Sequence, residues 1–178
     1  MSLKLFAVCL GGRAPKCNTE LHDVVFVVGA RVEDTYTQLL ELWFGSPEGL
    51  HIDSWLELDV VEGHQVRLSR EPSNSGLKLF FVNLGAYAEG EFTEVHENIF
   101  LVGSSALDVK RRAKENFLQG KYKLHTDSLF EVDDCLQIDG VQGWYVHLTP
   151  TSIANTWQPH NDYHVIPKVA IEAFLQSR

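Results

Sequence analysis

Residues 3–59 and 77–133 are two copies of one segment: at a shift of 74, without a gap, 22 of 57 positions are identical. A chain made by tandem duplication must fold one supersecondary unit twice and bury the apolar face of each, most simply against its copy. LKLFAVCLGGRAPKCNTELHDVVFVVG returns as LKLFFVNLGAYAEGEFTEVHENIFLVG, and LHIDSWLELD returns as LHTDSLFEVD. Residues 1–70 form the first repeat and 77–150 the second; the polar breaker run EPSNSG at 71–76 reads as a linker, and 151–178 is an extension without a counterpart.

Each repeat opens with a strand, Leu3 to Leu10 or Leu77 to Leu84, in which Phe6, Val8 and Leu10 recur as Phe80, Val82 and Leu84. Alternation of period two places each trio on one face. A second strand follows at 23–29 or 97–103, where Phe26 and Val28 recur as Phe100 and Val102; identity between copies assigns these to the same buried face, so that Phe6, Val8, Phe26 and Val28 are expected in mutual contact. Val32, Tyr36, Leu39, Leu40 and Trp43 then form a helical stripe, matched in the second copy by Ala106, Val109, Ala113 and Phe117, with Ser105 and Asp108 as an N-cap pair. A third strand, Trp55 to Val61 or Leu129 to Ile138, pairs with a fourth at 65–69 or 144–149. The first hairpin closes over Glu62 and Gly63; the second takes a six-residue insertion, closes over Asp139 and Gly140, and has longer arms.

The pattern predicts an α+β protein of two ββαββ repeats. A unit this small has a thin core, which favours one body related by a pseudo-twofold axis over two beads on the 71–76 linker. In the extension, HNDYHVIP alternates like a short edge strand and KVAIEAFLQ reads as a closing helix that turns Ala170, Ile171, Phe174 and Leu175 inward.

Charge narrows the partners. The formal net charge of −9 divides into −5 before residue 77 and −4 over 77–150, so both repeats repel the phosphates of nucleic acid. The single basic cluster, Lys110, Arg111, Arg112, Lys114, Lys121 and Lys123, spreads around a helix as a solvated face. The three cysteines, Cys9, Cys17 and Cys135, lack CxxC spacing and fit reduced thiols in a cytoplasm. The N-terminal apolar run is too short for a membrane span and lacks signal-peptide flanks.

Glu20, His22, His51, Asp53, Glu57 and Asp59 return as Glu94, His96, His125, Asp127, Glu131 and Asp133. On an extended third strand His51, Asp53, Glu57 and Asp59 share one face, and identity between copies is higher there than on the apolar face. Two imidazoles and two carboxylates per repeat form a set that zinc, iron or manganese accepts, so Glu20, His22, His51 and Asp53, with Glu94, His96, His125 and Asp127, are the candidate divalent-metal ligands. The plainer reading is a structural network that holds the loop and the strand start. Convergence of the four side chains within ligand distance favours a metal-dependent enzyme, and separation beyond about 8 Å favours a non-enzymatic module, because metal ligands approach the ion to about 2.0–2.2 Å. In HNDYH, His160, Asp162 and His164 alternate as polar residues on an edge strand. LGG after the first strand continues into no GxGxxG, and no GxSxG nucleophile turn occurs.

The runs LFFVNLGAY, FTEVHENIFLV, LHTDSLFEVDD and GWYVHLTP resemble a bacterial family of small proteins, domain of unknown function family 1543, carried here in two copies. The resemblance implies a fold and a bacterial cytosol, and no activity, cofactor or site. The second repeat is the more typical copy, because the first has LSRE in place of HLTP. The expected function is a non-enzymatic binding or interaction module for a small ligand or protein, with a metal-dependent, hydrolase-like enzyme on the repeated Glu, His, His and Asp as the alternative.

Overall fold

A computed structural model describes residues 2–86, 90, 92–118, 131–155 and 157–178. The fold is α+β, with mostly antiparallel sheets. Strands β1 (Lys4–Gly12) and β2 (Leu21–Gly29) are followed by a 3₁₀ turn (Val32–Thr35), α1 (Tyr36–Leu42), β3 (His51–Glu57), β4 (Val60–Val61) and β5 (His64–Ser69). The order recurs as β6 (Lys78–Ala86), β7 (Val95–Gly103), α2 (Ala106–Leu118), β8 (Glu131–Ile138), β9 (Gly140–Val141) and β10 (Trp144–Pro150), before β11 (His160–Val165) and α3 (Lys168–Gln176). Among the described residues no helix is long and apolar enough to cross a membrane.

Two compact units result, and their division does not follow the repeat boundary. One comprises Met1–Asp59, Val141–Trp144 and Asn155–Arg178; the other comprises Val60–Gly140 and Tyr145–Ala154. The final hairpin of the first repeat therefore belongs to the unit built on the second repeat.

In the first unit the strands run in the order β11, β3, β1, β2. Phe6 and Val8 of β1 stand opposite Val27 and Val25 of β2, and this face is covered by Val32, Leu39, Leu40 and Trp43 together with Ile171 and Phe174 of α3. Each of these large side chains contributes roughly 1.5–3 kcal/mol by leaving water. Phe26 and Val28 are buried too, but they oppose Ala7 and Leu5 on the other face. The expected four-way contact among Phe6, Val8, Phe26 and Val28 is thus corrected. Directly paired residues share a face, and the pairing sets Phe6 against Val27. Both faces of the sheet are buried, which is why identity between copies could not tell them apart. In α3, Ile171 and Phe174 point inward as expected, whereas Leu175 is 48% exposed. Ile166 donates its N–H to the Leu50 carbonyl at 3.1 Å, which fixes the start of that helix beside β3.

In the second unit β7, β6 and β8 form a sheet on which α2 lays Val109 and Ala113, both fully buried, over Phe80, Val82, Leu84 and Leu101. Ala106 is exposed, and the side chain of Phe117 lies outside the described residues. Ser105 caps α2 by accepting the Asp108 N–H at 3.3 Å. Arg111 lies on the solvated face, paired with Asp108 and Glu115, but Arg112 does not. It donates to Glu62 at 3.0 Å and to the Val102 carbonyl, while Glu62 also accepts the Val102 N–H at 2.6 Å. The β4–β5 turn is pinned in this way to the end of β7. Lys121 and Lys123 lie outside the described residues.

The third strand departs from expectation in two ways. It breaks after Glu57, so that β3 joins the sheet of β1 while β4 and β5 join β10 in another. The correspondence between repeats also changes within it. Gly11 opposes His51 and Leu10 opposes Ile52, while Gly85 opposes Glu131 and Leu84 opposes Val132. The six extra residues therefore precede β8 rather than lengthen the hairpin. The hairpin turns match instead: Glu62 and Gly63 have φ of 43° and 71°, and Gln142 and Gly143 have 51° and 73°, the paired left-handed conformation that a two-residue turn between twisted strands requires. Asp139 and Gly140, expected as the turn, lie three residues earlier, where the strand passes into β9.

Candidate functional site

The site is built around a residue with no side chain. Gly11, near the end of β1, stands opposite His22 of β2 on one side and His51 of β3 on the other. Cross-strand partners project to the same face, so the two imidazoles flank an open position. Asp53 is the bulged residue of β3, since Cys9 opposes Ser54 and Leu10 opposes Ile52. A bulge re-aims the side chains around it. The even alternation expected for His51, Asp53, Glu57 and Asp59 does not survive it: Glu57 stands opposite Phe6, on the face away from Gly11, and pairs with Lys4 at 2.6 Å. The bulge still leaves Asp53 beside Gly11, because a Cβ built on that glycine would lie 2.5 Å from His51 Nε2 and 2.6 Å from Asp53 Oδ2. Glu20 reaches the same place from the loop that leads into β2.

The four candidate residues of the first repeat come together. His22 Nε2 lies 3.2 Å from Asp53 Oδ2 and 3.9 Å from Glu20 Oε2. His51 Nε2 lies 3.3 Å from both Glu20 Oε1 and Asp53 Oδ1. His51 is 1% exposed, whereas the side chains of Glu20 and His22 are 42% and 53% exposed. The pair at the floor is therefore fixed and the pair at the rim is free to adjust.

Closeness here does not mean hydrogen bonding. His51 Nδ1 donates to the Gly49 carbonyl at 2.9 Å, which orients the ring. Its Nε2 and Asp53 Oδ2 are both buried and make no hydrogen bond, because the short distances are not matched by the required angles. An unsatisfied buried polar atom costs about 1–3 kcal/mol, while the His–carboxylate pairs at 3.2–3.9 Å tie the four side chains into one network. Among the described residues, however, no group of three or more His, Cys, Asp or Glu is placed so that it could hold a metal ion.

One neighbour was not singled out by sequence. Tyr163 of β11 lies over the His51 ring, centroid to centroid 4.1 Å, and is itself 65% exposed. His160 stacks on Trp55, and His164 Nε2 sits 2.5 Å from the Tyr36 hydroxyl. The bulge between Asn161 and His164 breaks the alternation of HNDYH, so its histidines serve β3 and α1 and do not form a common set. Cys9 lies on the same face as Gly11; burial raises its thiol above the ordinary range, and the Asp53 and Asp23 carboxylates raise it further. All three cysteines are free.

The second repeat differs. His96 stands opposite Gly85 and its Nε2 is 3.7 Å from Glu94 Oε2, as in the first copy. Opposite Gly85 on the other side is Glu131, with Asp133 at the bulge. His125 and Asp127 lie outside the described residues, and the strand register gives the place of His51 to Glu131.

Comparison with known proteins adds family and fold. The crystal structure of protein Il1583 from Idiomarina loihiensis is similar, with 34% identity, a TM-score of 0.74, and coverage of 93% of this chain and 99% of that one. No curated protein matches the chain. The family described as Domain of Unknown Function (DUF1543) matches residues 17–68 and again 91–148, together more than half of the chain. Each match takes in one TExH run and one hairpin, and the chain therefore belongs to the DUF1543 family as a tandem two-copy member.

Proposed function

We propose that this protein is a non-enzymatic binding module whose ligand site lies in the first repeat and accepts a small, positively charged group. The observation that carries this reading is His51 Nε2, buried, without a hydrogen bond, and facing two carboxylates at 3.3 Å. With Nδ1–H committed to Gly49, Nε2 is the ring atom left to face an occupant. Two carboxylates converging on one buried polar atom favour positive charge beside them. Convergence of the same four side chains is also what a metal-dependent hydrolase would need, and turnover of a substrate would select that alternative.

On this reading the two repeats make one pseudo-twofold body in a bacterial cytoplasm. The duplicated element order and the three free thiols support that setting. Isotope-labelled protein titrated with divalent metal salts, and separately with methylammonium and guanidinium, tests the function. Shifts centred on the amides of Gly11, His22 and His51 with at least one of these probes are expected. Silence with all of them refutes a cation site.

A further inference from the structure

We infer that Arg112 and Glu62 form a salt-sensitive latch, which closes the outer edge of β7, holds the β4–β5 hairpin there, and loosens as ionic strength rises. The starting point is a substitution between the repeats. Gln38 of α1 recurs, at the shift of 74, as Arg112 of α2. Each helix packs against the outermost strand of its sheet, α1 on β2 and α2 on β7.

In the first repeat one side chain performs the whole task. The Gln38 amide donates to the Val28 carbonyl at 2.7 Å and accepts the Val28 N–H at 3.0 Å, so it stands where a further strand would pair. An amide has both a donor and an acceptor, whereas a guanidinium has donors alone. Arg112 can therefore meet only half of the same requirement. It donates to the carbonyl of Val102, the residue equivalent to Val28, and the Val102 N–H must find an acceptor elsewhere. Val102 is buried, and a buried N–H without a partner is costly. Glu62 supplies that acceptor from the β4–β5 turn, at 2.6 Å.

Charge makes this repair a latch. Glu62 also accepts from the Arg112 guanidinium at 3.0 and 3.2 Å, and Asp108, one helical turn before Arg112, accepts from its Nε at 3.1 Å. The Arg112 and Glu62 side chains are partly exposed, so mobile ions reach them: the screening length falls from about 10 Å in 0.1 M salt to about 3 Å in 1 M. The Gln38 cap carries no charge for salt to screen. Gln142, at the turn position of Glu62 in the second hairpin, is uncharged too, so this ionic pairing is built once. Opening it frees the β4–β5 turn and bares the Val102 N–H on the edge of β7.

The test is amide hydrogen exchange on the full chain in about 0.05 M and about 1 M NaCl, read as the ratio of the Val102 rate to the Val28 rate. Val28 carries the uncharged version of the same cap, so the ratio removes the effect of salt on intrinsic exchange. Val102 should speed up roughly two- to fivefold relative to Val28, the size expected of a partly exposed ion pair, and the Val61 and Gly63 amide signals should move with it. Arg112→Gln gives the second repeat the side chain that the first one uses. In that variant the ratio should no longer respond to salt. The measurement on the parent depends on no variant. A ratio that salt leaves unchanged, a response at Val102 that Val61 and Gly63 do not share, or a response that Arg112→Gln retains overturns the inference.

Discussion

Gly11 stands directly opposite His51, and a methyl group placed on it would lie 2.5 Å from His51 Nε2. His51 cannot yield, since it is 1% exposed, held by Gly49 at Nδ1 and covered by Tyr163. Gly11→Ala is therefore expected to lower stability by about 1–3 kcal/mol, the usual cost of overpacking a filled site. It should also abolish cation binding. Gly76→Ala, where nothing lies within 4 Å, is the control and should be neutral or stabilising by up to about 1 kcal/mol. Urea denaturation of the two variants measures the difference, and a Gly11→Ala curve that overlays the parent would show the site to be open.

Cys9 reports on the same face through its ionisation. Burial first, then Asp53 and Asp23, hold its thiol above the ordinary range. A folded-state value raised above the unfolded one means that the native chain holds the proton longer. The resulting contribution to stability is complete below the ordinary thiol range and is lost as pH rises through the raised value. Stability should accordingly decline on the alkaline side. Iodoacetamide at pH 8 should label Cys9 more slowly in the native protein than in urea, because the thiolate is the nucleophile. Asp53→Asn should speed native labelling, though less than unfolding does, since burial is the larger cause. Equal native and unfolded rates would contradict the burial of this thiol.

How far the sequence could be read depended on what kind of signal each element gave. Period-two alternation found β1, β2, β6 and β7, and helical spacing found α1 and α2, because each is a local property. Face assignment failed for Phe26 and Phe100. Both faces of their sheets are apolar, so only the pairing register separates Phe26 from Val27. The third strand of the second repeat misled for another reason. Over residues 50–59 six positions are identical at the shift of 74 and only three at the shift of 80, yet Gly63 and the hairpin around it recur in Gly143 at the shift of 80. Turn geometry follows the second correspondence, and β8 pairs accordingly. In the first repeat, recurrence of Glu20, His22, His51 and Asp53 did mark side chains that meet. Tyr163 had no duplicate to mark it, and the importance of Gly11 lies in the side chain it lacks.

The hairpin of the first repeat supplies the last expectation. If the repeats were independent beads, changing a residue of 1–70 would leave the amides of 77–150 as they were. Glu62 nevertheless ties the hairpin of the first repeat to β7 and α2 within one compact unit, since it accepts the Val102 N–H at 2.6 Å and two contacts from Arg112 at 3.0 and 3.2 Å. Neither partner is near it in sequence, and the pair is partly buried: the Arg112 side chain is 28% exposed and that of Glu62 34%. Truncation strands a backbone donor and a partly buried guanidinium, for a loss of about 1–3 kcal/mol with Glu62→Ala. Glu62→Gln keeps one acceptor oxygen and should lose less. The local readout is sharper than the global one. Hydrogen exchange at the Val102 amide should accelerate in Glu62→Ala, with smaller changes at Leu101 and Gly103, while amides of β1 and β2 keep their protection. Unchanged exchange at Val102 would show that the β4–β5 turn does not hold the end of β7.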